Sequence, residues 1–346
     1  MKLFRPHAQP PARRPSGGRG QRGVTMVELL VAMVLGTLIA LAAVASLSVA
    51  RRGFATVDAA SQLRDSTRFA ADLLQRVANQ SGFVDVPYAV NAVANDAGAA
   101  VPPPYVFGFN NAVMTITTPP IPGDALNGNR SATTAGCASA SDSACVNGAD
   151  ILVLRYHTPA TVAGGSVGDR STINCAGISQ NAASSGRDDL VVSAFHVALS
   201  HGEPSLMCSH QDAAGVWQST AQPVIQGVES FQVLYGVDGV TPNNASATAS
   251  DTVAERYLRA DQIVVAGDPI ATDANWRRVR SIRLGMVLRG PPGSAQERGV
   301  ANDYLFPLGT AMWSAADPGT RFAPNDDGRL RQAVTFTAYL RNYAGL

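Results

Sequence analysis

Residues 24–50 read VTMVELLVAMVLGTLIALAAVASLSVA, and Glu28 is the only charged side chain among them. A carboxylate at the edge of an apolar run is costly and needs either a partner or a proton. Its natural chemistry is to act as a counter-charge for a nearby cation. Cys137, Cys145, Cys175 and Cys208 form a second set. Four cysteines in an oxidising compartment point to two disulfides, with three possible pairings. Zinc on Cys175, Cys208, His201 and His210 is a rival, but Cys208-Ser209-His210 is tighter than ordinary ligand spacing. Gly164-Gly165-Ser166-Val167-Gly168 matches G-x-S-x-G in letters only. A nucleophile elbow needs a strand before it and a helix after it, and Asp169–Cys175 carries no helical pattern. His157, His196, His201 and His210 have no acid partner at a fixed spacing, and Asp326-Asp327-Gly328 reads as a turn.

Other chemistry is excluded by composition. Lys2 is the single lysine beside 26 arginines. The body therefore lacks a Walker lysine, a Schiff-base lysine and a Ser-x-x-Lys pair. No Gly-rich nucleotide loop is present. A net charge of +1 on 346 residues is not that of a polycation built to hold nucleic acid. No cofactor, metal, nucleic acid or small-molecule substrate is expected, and no enzymatic activity.

The elements that must position Glu28 and the cysteines begin with a charge step. Residues 1–23 carry Lys2, Arg5, Arg13, Arg14, Arg19 and Arg22 and no acid, whereas the remainder carries a net −5. Basic residues stay on the cytoplasmic side of a membrane. After Glu28, the 22 residues Leu29–Ala50 are free of charge. As a helix they span roughly 33 Å, enough for a bilayer core of about 30 Å. A cleavable secretory signal with a cut after Ala45 is one reading, but the apolar run exceeds the usual h-region. A plain signal anchor is another, and it leaves Glu28 unexplained.

Arg51 and Arg52 close the apolar run. Ala59, Leu63, Ser66, Ala70, Leu73 and Val77 then recur at alternating steps of four and three, which predicts an amphipathic continuation ending at Ser81-Gly82. The two halves make one helix of about 55 residues, roughly 80 Å long. Beyond it the pattern changes. Residues 83–149 are rich in Pro, Gly, Ala and Asn and read as loops, with short strands at Tyr105–Phe109 and Val113–Thr117. Strands are expected at Ile151–His157, Leu190–Leu199, Glu229–Val237, 282–288 and 334–340. The period-two alternation in the last three predicts half-buried strands. Segments 240–252 and 290–302 read as exposed loops. No strand–helix–strand alternation occurs, so the fold class is α+β: a long N-terminal helix on a mainly antiparallel β-sheet domain with long loops.

Two stretches resemble a known family. Arg22-Gly23-Val24-Thr25-Met26-Val27-Glu28-Leu29-Leu30-Val31-Ala32 resembles the type IV prepilin signal. Gly227–Asp238 (GVESFQVLYGVD), Arg256-Tyr257, Val279–Arg289 and Val334–Asn342 resemble the PilW family of minor pilins, as does Arg68–Leu74. The resemblance implies a leader of residues 1–23 removed by the prepilin peptidase between Gly23 and Val24, and N-methylation of Val24. Glu28, fifth in the mature chain, would meet the Val24 amine of a neighbour and fix register. Val24 stands where relatives usually carry Phe, and the leader is longer than most. The resemblance further implies a 24–50 membrane segment, a 51–82 amphipathic segment and an 83–346 periplasmic domain. The protein would sit in the inner membrane and then in the pilus, at its tip. Its expected partners are other minor pilins, the major pilin and the inner-membrane assembly machinery. Asn174-Cys175-Ala176-Gly177 and Ser205-Leu206-Met207-Cys208 resemble the paired cysteines of the family, implying Cys175–Cys208 and Cys137–Cys145. Relatives carry an Asp/Gly insert after Tyr-Gly-Val-Asp; here Gly239–Ser250 is poor in acids, which argues against calcium. A pseudopilin of type II secretion and a signal-anchored periplasmic enzyme are the competing functions, and a tip adhesin presenting residues 85–147 is a third idea.

Overall fold

The structure is a computed structural model that describes residues 23–88, 104–112, 114, 147–247, 249–295, 304–315 and 317–342. The expected strand at Val113–Thr117, the leader and the proposed adhesive loops lie largely or wholly outside these residues. The chain divides into two units, Met1–Arg52 and Gly53–Leu346.

Helix α1 (Met26–Gln80) begins in the first unit and ends in the second. In the first unit every described residue is exposed, and the apolar run is long enough to cross a membrane. In the second unit the helix buries Ala59, Leu63, Ala70, Leu74, Val77 and Ala78. The expected stripe holds at Ala59, Leu63, Ala70 and Val77. Towards the C-terminus Leu74 and Ala78 are buried, while Ser66 and Leu73 are only half-buried. The cause is geometric: a straight helix turns every 3.6 residues and drifts off a 3.5 repeat. Gly82, at φ +76°, takes the left-handed turn that ends the helix, and its amide donates to the Arg155 carbonyl at 2.9 Å.

The body holds two antiparallel sheets. One contains β1 (Val106–Phe109), β2 (Ile151–Tyr156), β3 (Val191–Ser200), β4 (Glu203–His210) and β5 (Gln222–Gln226) in that order. In the other the order is β7 (Arg256–Leu258), β6 (Val228–Val237), β8 (Val279–Arg289) and β9 (Arg331–Tyr339). Two short helices, α2 (Ala260–Ile263) and α3 (Pro269–Trp276), fall between β7 and β8. Asp268 caps α3 by accepting from the Ala271 amide at 2.9 Å, and Pro269 opens it.

The chain passes from one sheet to the other through Gly227 alone. Its φ of +80° makes the corner, and a Cβ there would lie 2.7 Å from the Arg289 carbonyl oxygen. Asp150 provides a second join. Its amide donates to the Phe231 carbonyl at 2.8 Å, and its carboxylate accepts from the Val233 and Asn111 amides at 2.8 and 2.9 Å. Burial, followed by the nearby Asp317 carboxyl, pushes its pKa well above the usual carboxylate value.

One apolar cluster unites both sheets and the end of α1. Trp276, Tyr235, Phe107, Phe195, Phe231 and Leu74 are among its fully buried members. Tyr235 and Trp276 meet edge to face at 4.8 Å. Gly108 is required here, because a Cβ would overlap the Tyr235 hydroxyl. The alternating strands 229–237 and 282–288 are buried on both faces instead of one. Their second face meets Pro307, Leu308 and Gly319: a Cβ on Gly285 would overlap the Pro307 carbonyl, a Cβ on Gly319 would overlap the Gln232 side chain, and Thr335 Oγ1 donates to the Pro307 carbonyl at 2.5 Å.

Candidate functional site

The residues with unfinished chemistry gather at the start of α1. Thr25 precedes the helix and Glu28 lies three residues on. The Glu28 carboxylate accepts from the Thr25 amide and the Thr25 hydroxyl, both at 2.9 Å, and the Glu28 amide donates back to Thr25 Oγ1 at 3.3 Å. This reciprocal pair is a capping box, which satisfies two of the helix's orphan amides. The carboxylate also sits at the positive end of the helix dipole. Gly23 and Val24 lie beside it, exposed. A Cβ on Gly23 would meet nothing within 4 Å, so this chain's own folding does not call for glycine there.

The cysteines serve a different purpose. Cys175 and Cys208 form a disulfide with Cα atoms 5.7 Å apart, as the family resemblance implies. Both are buried. The bond ties the loop after β2 to β4, and Ser193 Oγ on β3 accepts from the Cys175 amide at 3.0 Å. With both sulfurs bonded to each other, the zinc set has no thiolates to offer. Cys137 and Cys145 lie outside the described residues. No group of three metal-ligating side chains occurs among the described residues.

The remaining candidates are structural. Gly164–Gly168 lies in a loop in which Val167 and Gly168 make isolated bridges to Ala182 and Ala160, with no helix after it. His157 Nδ1 accepts from the Asp85 amide at 3.2 Å, and Nε2 contacts the Arg187 carbonyl at 2.9 Å. His201 occupies the tight turn between β3 and β4, with φ +52°. Asp238, which ends the Tyr-Gly-Val-Asp stretch, receives Arg280 at 3.0 Å, Ser250 at 2.5 Å and the Thr252 amide at 3.0 Å. Burial alone would raise its pKa, but these bonds outweigh burial and hold it below the usual range. An arginine thus supplies the positive charge beside Asp238.

Asp327 is likewise claimed by Arg331 at 2.7 Å. It belongs to a network that sequence reading missed. Glu203, the first residue of β4, pairs with Arg289 at 2.6 Å and Arg329 at 3.0 Å, linking the two sheets. Glu229 pairs with Arg289 at 3.1 Å and Arg331 at 2.6 Å. The Arg329 bond, and then those of Arg289, hold the Glu203 carboxyl below its usual range. No local spacing signals these partners, which lie up to 126 residues apart.

Comparison with known proteins bears on the N-terminal site and on the sheets. Residues 18–44 match the family described as Prokaryotic N-terminal methylation motif, and residues 194–342 match Type IV Pilus-assembly protein W. This is a PilW-like minor pilin of the type IV pilus. The second match spans β4 to β9 and most of β3, so it covers all of the four-stranded sheet. No curated protein matches the chain. Among solved structures, the pilin is similar to a type IV-like pilin from Thermus thermophilus, with 12% identity and a TM-score of 0.36, covering 82% of this chain and 98% of that one. Pilins of this kind are structural proteins that associate with other pilins and with the pilus machinery. The methylation motif and the apolar helix make this one membrane-anchored.

Proposed function

We propose that this minor pilin helps to start pilus assembly and is then incorporated near the tip. The prepilin peptidase cuts between Gly23 and Val24, and Val24 is N-methylated. The molecule waits as a single-pass inner-membrane protein with its body in the periplasm. In this reading it is not an enzyme, and its partners are other minor pilins, the major pilin and the inner-membrane machinery.

The observation that carries the reading is the joint placement of Gly23, Val24, Thr25 and Glu28. Glycine at 23 serves no need of this fold, in keeping with an outside enzyme that must approach the backbone there. Cleavage leaves a positive amine on Val24. Glu28 is held ready by Thr25, but it lacks any cationic partner among the described residues. In an apolar filament core, the Val24 amine of the next subunit supplies that cation. Removing one member of a buried pair strands the other, at a cost of about 3–5 kcal/mol.

Intact-mass measurement of the protein extracted from membranes tests the processing. The expected mass lacks residues 1–23 and carries one added methyl group on Val24. Gly23→Phe should leave the leader attached. An N-terminus at Ser46 would instead establish ordinary secretory cleavage and overturn the reading.

A further inference from the structure

A sheet edge presents unpaired amides and carbonyls to any extended chain, and proteins usually blunt such edges. Among the described residues the two sheets have four edges, and three of them are blunted. β1 has four residues, all buried. β5 has five, includes Pro223, and its register on β4 shifts between Leu206 and Met207. β7 has three. β9 is different. It runs for nine residues, RQAVTFTAY, and pairs with β8 without a register shift. It contains no proline and no acid, and its one charge, Arg331, stands at its first position.

The direction of its backbone can be read from the flanking bonds. Gly290 donates to the Leu330 carbonyl at 2.7 Å and Leu340 donates to the Arg280 carbonyl at 3.0 Å. Even-numbered residues therefore turn their polar groups towards β8. In an unbulged antiparallel strand the odd-numbered ones, from Arg331 to Tyr339, turn theirs outward. Among the described residues no strand pairs with that side. Val334 and Phe336 point to the core layer yet remain only half-buried, and Tyr339 is 68% exposed. The apolar layer thus reaches this edge and stops short of being covered.

We propose that the free edge of β9 accepts an extended strand from a different pilin subunit, which lengthens the four-stranded sheet. Only an extended backbone matches alternating donors and acceptors at this spacing. The incoming strand should place apolar side chains beside Val334 and Phe336 and polar ones beside Thr335 and Thr337. A second copy of this chain is the poorer occupant. Two identical edges pairing about a two-fold axis close on themselves, whereas a subunit that starts a filament needs a contact between unlike surfaces. The inference rests on the pilin reading and adds a partner surface to it.

The test uses the full-length protein in cells that assemble pili. A photo-crosslinking residue replaces Thr337, alone and together with Ala333→Pro, which deletes an outward amide but leaves the ladder to β8 intact. The expected adduct maps to a strand of another protein that bears the same N-terminal signal, and Ala333→Pro lowers its yield by at least about tenfold. An unchanged melting midpoint and an intact Cys175–Cys208 bond verify that the variant is folded. An adduct to a second copy, no adduct, or a yield insensitive to Ala333→Pro would overturn the proposal. Mass analysis of the same sample separates the two readings: a chain cut after Gly23 without an adduct sinks only the strand docking, whereas an uncut chain sinks the pilin processing itself.

Discussion

The first 30 described residues and the body handle charge and apolar surface in opposite ways. From Gly23 to Arg52 every residue is exposed, and large apolar side chains such as Ile39 and Val49 are about 70% open. Glu28 finds only the neighbouring Thr25. In the body, apolar side chains converge on one cluster. Carboxylates such as Glu203, Glu229, Asp238 and Asp327 are each met by arginine. The first region leaves its apolar side chains open, whereas among the described residues the body buries a large apolar cluster and pairs these carboxylates within itself. Changes in the first region should therefore alter assembly and leave folding untouched, and changes in the core of the body, away from the β9 edge, should do the reverse.

The largest effect should come from Glu28→Ala. Surface pili should fall to background, and crosslinks between this subunit and other minor pilins should disappear. Leader cleavage and the melting midpoint of the body should stay unchanged. Glu28→Gln should be nearly as damaging, because the amide keeps an acceptor but loses the charge. Wild-type piliation in Glu28→Ala cells would mean that the carboxylate is merely tolerated at the membrane edge.

Next is the disulfide. Cys175 and Cys208 are 33 residues apart, and closing a loop of that size is worth about 3–4 kcal/mol in the chain-entropy model. Replacing both cysteines with serine should lower body stability by about that amount in urea titration, with leader cleavage unaffected. A loss below about 1 kcal/mol would mean that the body is held without this bond.

The smallest effect should appear only in acid. Burial pushes the His196 imidazole down to about 4, and its Nε2 lies 3.1 Å from Ser209 Oγ. Unfolded histidine titrates near 6.5, at about that value. As pH falls, the unfolded chain takes up the proton first, so stability is lost between about pH 6.5 and 4, by at most about 3 kcal/mol. His196→Gln should flatten that part of the stability curve measured at pH 7, 5 and 4. An unchanged slope would place the acid sensitivity elsewhere.

Much of the architecture is local and was therefore legible in the sequence. α1 follows from an apolar run joined to a four-three stripe, and Gly82 ends it. β1, β2, β3, β6, β8 and β9 follow from β-branched and alternating stretches. The order Gly23, Val24, Thr25, Glu28 was legible through its resemblance to the prepilin signal, and the Thr25–Glu28 cap follows from a spacing of three residues at one helix start. β4 was not legible: EPSLMCSH carries a proline and no clean alternation, and its pairing with β3 is what makes it a strand. β5, β7, α2 and α3 are too short for periodicity to register. The division into two sheets depends on one glycine at positive φ and on Asp150 reaching across to Val233. The second buried face of β6 and β8 depends on Pro307, Leu308 and Gly319, far from β6 in sequence. The same holds for the arginine partners of Glu203 and Glu229, and for the free edge of β9. A pattern along the chain reports which faces prefer burial, but only the tertiary structure decides what covers them, because covering is done by segments whose distance in sequence leaves no periodic trace.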